Sequence, residues 1–265
     1  MRAKTFSKIF AKIKNFALDI LFPISCLVCG KEDVWICDEC LERIPLRATQ
    51  VCPQCEKNIT PQGQICFPCR DKYSIDGLLL TSFYSKEVIA KMVHLYKYRF
   101  AEDLHIPLGK LMIKAILQAE IPLPDYIIPI PLHPRRLRWR GFNQAQLLAD
   151  YLSANLTPGL PIPVSNNVLF RQKYTHPQMQ IKNYAQRQKN MAEAFAIDKK
   201  NKKMIAGKNI LLVDDIATTG STLFECARIL KKAGAASVFG IVIARQEFKK
   251  KPIKKSDTKI SFFPH

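Results

Sequence analysis

The chain has 265 residues, enough for one large domain or two unequal ones. A hydrophobic fraction of 48% excludes a disordered chain, and a net charge of +19 favours polyanionic partners: nucleic acid, phosphorylated ligands or an anionic membrane surface. No apolar run approaches the roughly 20 residues of a transmembrane segment, and the basic first 22 residues lack the apolar core of a signal peptide, so a cytoplasmic chain with reduced thiols is expected.

Residues 4–22 read as an amphipathic helix, with Phe6, Ile9, Phe10, Ile13, Phe16, Ala17 and Ile20 on one face and lysines on the other. Such a helix packs on the neighbouring module, or docks on a membrane surface or partner. The predicted organisation is this basic helix at 1–22, a cysteine module at 23–72, a larger domain at 73–247 and a basic tail at 248–265 without fixed structure.

The module holds four C-x-x-C pairs: Cys26 and Cys29, Cys37 and Cys40, Cys52 and Cys55, Cys66 and Cys69. Each pair offers two thiolates from one tight turn, and two pairs complete the tetrahedral all-sulfur site that zinc prefers. Up to two structural zincs are expected, paired sequentially as Cys26, Cys29, Cys37, Cys40 and Cys52, Cys55, Cys66, Cys69; an interleaved arrangement would use the same ligands. Closed sites of this kind leave no position for catalytic water. An iron–sulfur cluster or, in an exported chain, disulfides would use the same residues. The ninth cysteine, Cys226, reads as core.

Beyond the module, residues 75–84 read as a strand, 87–98 and Leu108 to Ile116 as helices, and His94 and His105 as solitary helical histidines. Tyr126 to Ile130 is a core strand that stops at prolines. Arg135, Arg136, Arg138 and Arg140 follow, interleaved with Trp139 and Phe142. This basic loop suits a pyrophosphate clamp, or a grip on single-stranded nucleic acid with rings stacked on bases, or plain solvation. Gln144 to Leu152 resumes a helix, 153–166 is a Pro-rich loop, and Arg171, Lys173 and Arg187 extend the basic surface.

After a basic turn at Asn201 to Lys208 comes N-I-L-L-V-D-D-I-A-T-T-G-S-T, Asn209 to Thr222. Ile210 to Val213 is a strand buried on both faces of a parallel sheet. The helical pattern of Leu223 to Ala233 follows at once, and Ser237 to Ala244 is a further strand. A loop between a strand end and a helix start is where open α/β sheets bind ligands. Thr218, Thr219, Ser221 and Thr222 supply hydroxyls, Gly220 permits close backbone approach, and helix N–H groups favour an anion. Asp214 and Asp215 suit the vicinal hydroxyls of a ribose, or a divalent cation. A sugar bearing a 5′-phosphate satisfies both halves.

V-D-D-I-A-T-T-G-S-T resembles the signature of type I phosphoribosyltransferases, which bind 5-phosphoribosyl 1-pyrophosphate (PRPP). L-F-P-x-x-C-x-x-C, H-L-Y-K-Y, P-I-P-L-H-P-R-R-L-R-W-R-G-F-N-Q, R-Q-K-Y-T-H-P-Q and a closing I-A-R, in this order over about residues 18–246, resemble the ComF family of competence-associated proteins. The resemblance implies an α/β, Rossmann-like parallel sheet of the type I phosphoribosyltransferase fold behind a small zinc-ribbon-like module. It implies PRPP with magnesium at Asp214, Asp215, Ala217, Thr218, Thr219, Gly220, Ser221 and Thr222. It also implies natural transformation: handling incoming single-stranded DNA inside the membrane, peripheral to the uptake machinery of the inner face. An active transferase passing phosphoribosyl to a base or amine is the alternative.

Overall fold

A computed structural model describes residues 24–97, 99–172 and 194–245. The predicted N-terminal helix, the basic tail, and Lys173 and Arg187 lie outside the described residues. The core is a parallel four-stranded sheet in the order β1–β7–β5–β2, formed by β1 (Gly77–Leu80), β2 (Tyr126–Pro129), β5 (Asn209–Val213) and β7 (Ser237–Val242). Two short pairs complete it: antiparallel β3 (Leu169–Arg171) with β4 (Phe195–Ile197), and parallel β6 (Ile216–Ala217) with β8 (Ala244–Arg245).

Side chains alternate across a strand, so the apolar runs feed two cores. Leu79, Ile127, Leu211, Val213 and Ile241 face the helices α2 (Glu87–Leu95), α3 (His105–Ala119) and α5 (Gln144–Asn155). Leu78, Leu80, Ile128, Ile210, Leu212, Val238 and Val242 face α7 (Ser221–Lys232) and the β3–β4 pair. A run buried on both sides cannot show period-two patterning, which is why these strands read as continuous apolar stretches.

The cysteine module has no separate core. It wraps the free edge of β1: the Gln50 side chain donates to Leu80 O at 3.0 Å and accepts from Leu80 N–H at 3.1 Å, replacing a missing strand. Ser82 Oγ donates to Pro45 O at 2.7 Å. Cys26, Cys37, Cys40, Leu41 and Ile44, around α1 (Asp38–Glu42), join the core on the α2–α3–α5 face. Cys52, Ile65 and Cys66 join the core on the α7 face. The two halves of the module thus straddle the sheet.

Several boundaries move. The strand expected at 75–84 keeps only Gly77–Leu80; beyond it Thr81 and Ser82 N–H still donate to Val242 O and Ile243 O, while Thr81 O accepts from Arg47 N–H of the module. The helix expected from Leu108 starts at His105, with Pro107 in the first turn, where its missing N–H costs nothing. The basic turn before β5 contains a short helix α6 (Lys202–Ile205). The basic stretch after His133 is a helix and not a loop, α4 (Pro134–Arg140), started by Pro134 and capped by His133, whose Nδ1 accepts from Arg135 N–H at 3.2 Å.

Candidate phosphoribosyl site and metal centres

The C-terminal end of β5 delivers two carboxylates to the rim of the sheet. Asp214 Oδ1 accepts from Asp215 N–H at 2.9 Å, and Asp215 Oδ1 accepts from Ile216 N–H at 2.8 Å. Each aspartate therefore spends one oxygen on the turn. Asp215 Oδ2 is buried with no hydrogen bond among the described residues, and Lys97 Nζ lies 3.8 Å from it. A buried acceptor left open at a strand end has the chemistry of a hydroxyl-binding site. Burial, then the neighbouring charge of Asp215, pushes the Asp214 carboxyl well above the usual carboxylate range.

Ala217 closes β6, and Thr218 to Gly220 lead into α7. Gly220 has φ +78°, and a Cβ there would meet the Phe224 ring at 3.0 Å, so the turn requires glycine. Thr219 Oγ1 and Ser221 Oγ are 2.6 Å apart, and Ser221 N–H donates to Thr219 Oγ1 at 3.3 Å. The helix begins at Ser221, two residues before its apolar pattern, so Ser221 and Thr222 stand in the first turn among its unpaired N–H groups. The structure thus brings Asp214, Asp215, Ala217, Thr218, Thr219, Gly220, Ser221 and Thr222 to one rim of the sheet, with hydroxyls and helix dipole beside the carboxylates.

The eight module cysteines form two groups, Cys26, Cys29, Cys37, Cys40 and Cys52, Cys55, Cys66, Cys69, with sulfurs within 4.8 Å of one another in each. Their chemistry calls for a cation. Burial alone would raise the Cys26 thiol, but the backbone N–H groups of Cys29, Cys37 and Val28 bring it down to about 6. The backbone N–H groups of Asn58 and Lys57 bring Cys55 to about 6. Cys40 is pushed up to about 12 by its hydrogen bond with Cys37 and by burial, and Cys69 to about 12 by burial and by Cys66 and Cys52. Four thiolates cannot share such a site without a metal, and closed all-sulfur sites fit structural zinc.

A family model described as a phosphoribosyl transferase domain matches residues 140–263, and one described as a double zinc ribbon domain matches residues 17–73. Competence protein F of Haemophilus influenzae is 30% identical over 208 residues, covering 77% of this chain and 87% of that protein. Competence protein ComFC of Bacillus subtilis is 30% identical over 230 residues, covering 81% of this chain and 86% of that protein. DNA utilization protein YhgH of Escherichia coli K12 is 30% identical over 207 residues, covering 77% and 87%. The chain belongs to the ComF family. Its sheet and loop are those of the type I phosphoribosyltransferase fold, behind two zinc-ribbon-like sites.

In this ComF-family chain the basic stretch divides. Arg135, Arg138 and Trp139 are exposed, Trp139 by 67%, and Arg136 is half-buried. Arg140 turns inward, where its Nη1 donates to Gln144 Oε1 at 2.9 Å. Phe142, read from sequence as a ring for stacking, is a correction: it is buried and packs on Tyr96 with centroids 5.8 Å apart, so it cannot meet a base. Burial and then the charges of Arg171, Arg135, Arg136 and Arg138 push the imidazole of His133 below its usual range, which keeps its capping nitrogen free to accept. Cys226 is core, as expected.

Two residues of the site lie in motifs read from sequence, Lys97 in H-L-Y-K-Y and Arg245 in I-A-R, but were given no role there. Lys97 follows α2 and reaches Asp215, although its helical neighbours gave it the look of a solvated face. Arg245 is 8% exposed at the end of β8. Its place after the apolar run Ile241 to Ala244 was a sequence signal beside the I-A-R motif, since a charged residue there must find partners once buried. Among the described residues no helix is long and apolar enough to cross a membrane.

Proposed function

We propose that this protein binds PRPP with magnesium at the β5–α7 loop and acts in natural transformation by handling incoming single-stranded DNA. The observation that carries the reading is the open Asp215 oxygen beside a hydroxyl-lined helix start, within a chain whose relatives are named competence proteins. Asp214 and Asp215 take the ribose hydroxyls and Thr218 to Thr222 the 5′-phosphate. Magnesium, when bound, offsets the pyrophosphate charge. Binding of the ligand or its cation favours the ionised form of Asp214, so affinity rises with pH. Arg135, Arg136 and Arg138 hold the DNA backbone, and Trp139 stacks on a base.

A second reading is favoured by the Lys97–Asp215 distance of 3.8 Å. A cation already beside the ribose carboxylate can exchange that partner for a departing pyrophosphate. The carbon–oxygen bond at the anomeric carbon then breaks, pyrophosphate leaves, and a base or amine nucleophile bonds to that carbon, with catalysis by positioning and charge stabilisation.

Titration of a labelled single-stranded oligonucleotide at rising salt tests the first reading. Three phosphate contacts give a slope near −2 in log K against log salt, about a 20-fold loss between 50 and 200 mM. Affinity that ignores salt, or no binding at low ionic strength, contradicts it. Pyrophosphate release with a panel of bases and amines tests the second.

A further inference from the structure

The two metal centres open on the same backbone turn, and its closing position is glycine in one and glutamate in the other. In the first, Gly30 N–H donates to Cys26 O at 3.0 Å; in the second, Glu56 N–H donates to Cys52 O at 2.9 Å. The position requires positive φ: Gly30 has +79° and Glu56 has +56°. Glycine adopts this conformation freely, and a glutamate does so against its steric preference. Glu56 has a partner that accounts for it. Its carboxylate is 2.9 Å from Arg245 Nη2.

Arg245 spends its remaining donors on backbone carbonyls. Nη1 donates to Pro53 O, inside the Cys52–Cys55 turn. Nε donates to Thr218 O at 2.8 Å and Nη2 to Thr219 O at 3.1 Å, in the phosphate loop. One buried guanidinium therefore ties the second metal turn to the loop. The peptide bond is trans, so a carbonyl aimed at Arg245 sends the N–H of the next residue the other way. The Thr219 and Gly220 N–H groups are thereby turned away from Arg245 and left for an anion. A ring contact supports the same link: Tyr73, four residues after Cys69, lies 5.3 Å from Phe224, whose ring underlies Gly220. The first centre packs into the core on the opposite face of the sheet.

We infer that the Cys52, Cys55, Cys66, Cys69 centre holds the phosphate loop in its ligand-binding shape through Arg245, a positioning residue. Metal occupancy of this centre, and not of the Cys26, Cys29, Cys37, Cys40 centre, then sets affinity for the phosphoribosyl ligand. The inference rests on the reading of the loop as a PRPP site.

The test is hydrogen exchange of the amides of residues 218–222 in the full chain, with zinc content and PRPP–magnesium calorimetry on the same samples. Arg245→Met should retain two zincs, exchange the loop at least tenfold faster and bind PRPP at least tenfold more weakly. Glu56→Gly relieves the backbone at that turn while cutting its ion pair, so it should fold, keep both zincs and loosen the loop about threefold. Cys55→Ser should match Arg245→Met, and combining the two should add little, because both cut the same link. Cys29→Ser should leave loop exchange unchanged. Wild-type loop exchange in Arg245→Met or in Glu56→Gly, or equal loosening by Cys29→Ser, overturns the inference. If exchange responds as described but wild-type protein does not bind PRPP, the link stands and the PRPP reading fails.

Discussion

The two four-cysteine centres share a spacing, a turn and a ligand set, yet they sit in different surroundings. The first packs Cys26, Cys37 and Cys40 into the α2–α3–α5 core, with Cys29 exposed and open space beside the turn residue Gly30. The second faces the loop before α7, with Cys52 fully buried and Glu56 ion-paired to Arg245. Identical metal chemistry thus serves two ends. One centre closes the module over α3, and the other reaches the rim where a ligand would sit. Ligand spacing specifies the metal; the residues between the ligands specify what it supports.

Metal removal should separate the two centres most strongly. Each centre contributes on the order of 10 kcal/mol to its segment's folding. Cys52→Ser, within the α7-side core, should open the second centre's segment to proteolysis and loosen the loop before α7, whereas Cys29→Ser should open the first centre's segment and leave that loop protected. Equal damage by both would make the centres equivalent.

Next in size is the contrast between two rings near the basic helix. Phe142→Ala removes a buried ring and should cost about 3–5 kcal/mol in chemical denaturation. Trp139→Ala should leave stability unchanged and weaken single-stranded DNA by about 1–3 kcal/mol. DNA affinity that follows Phe142 and ignores Trp139 would move the nucleic-acid surface elsewhere.

Asp214→Asn should separate stability from binding. The folded-state affinity of Asp214 for its proton is raised, so its favourable contribution is fully present below the unfolded value near 3.8 and is lost as pH rises through the folded value. At neutral pH the ligand-free wild type therefore lacks the stability that Asp214 contributes in acid. The Asn variant should melt about 2–4 °C higher, equivalent to about 1 kcal/mol, with PRPP binding abolished. A lower melting temperature would mean that the carboxylate stabilises the free protein. The smallest effect belongs to His133→Ala, which loses a helix cap worth about 1 kcal/mol. Because the folded-state value of His133 is depressed, its contribution is present above the ordinary histidine range and is lost as pH falls through the depressed value. Melting of wild type and variant should converge on acidification.

Most of this architecture was legible because it rests on short-range pattern. Ile210 to Val213 announced a strand buried on both faces, the double Asp and the hydroxyls announced the loop, and the C-x-x-C spacing announced the centres. What stayed hidden depends on where distant segments meet. Phe142 and Trp139 look alike as aromatics beside the arginines, and only the direction of the chain at the helix end sends one ring inward. Arg245 and Glu56 are 189 positions apart in number, so nothing local marks them as partners, and the strained φ of Glu56 has no sequence signature. Lys97 stood in the H-L-Y-K-Y motif without a role until the fold placed it beside Asp215.

The most direct test of the account is PRPP–magnesium calorimetry on wild type and on the Asp214→Asn/Asp215→Asn double variant. Saturable binding by wild type, lost in the variant, is the predicted result. Absence of wild-type binding, or equal binding by the variant, would contradict the assignment of the β5–α7 loop as a working phosphoribosyl site.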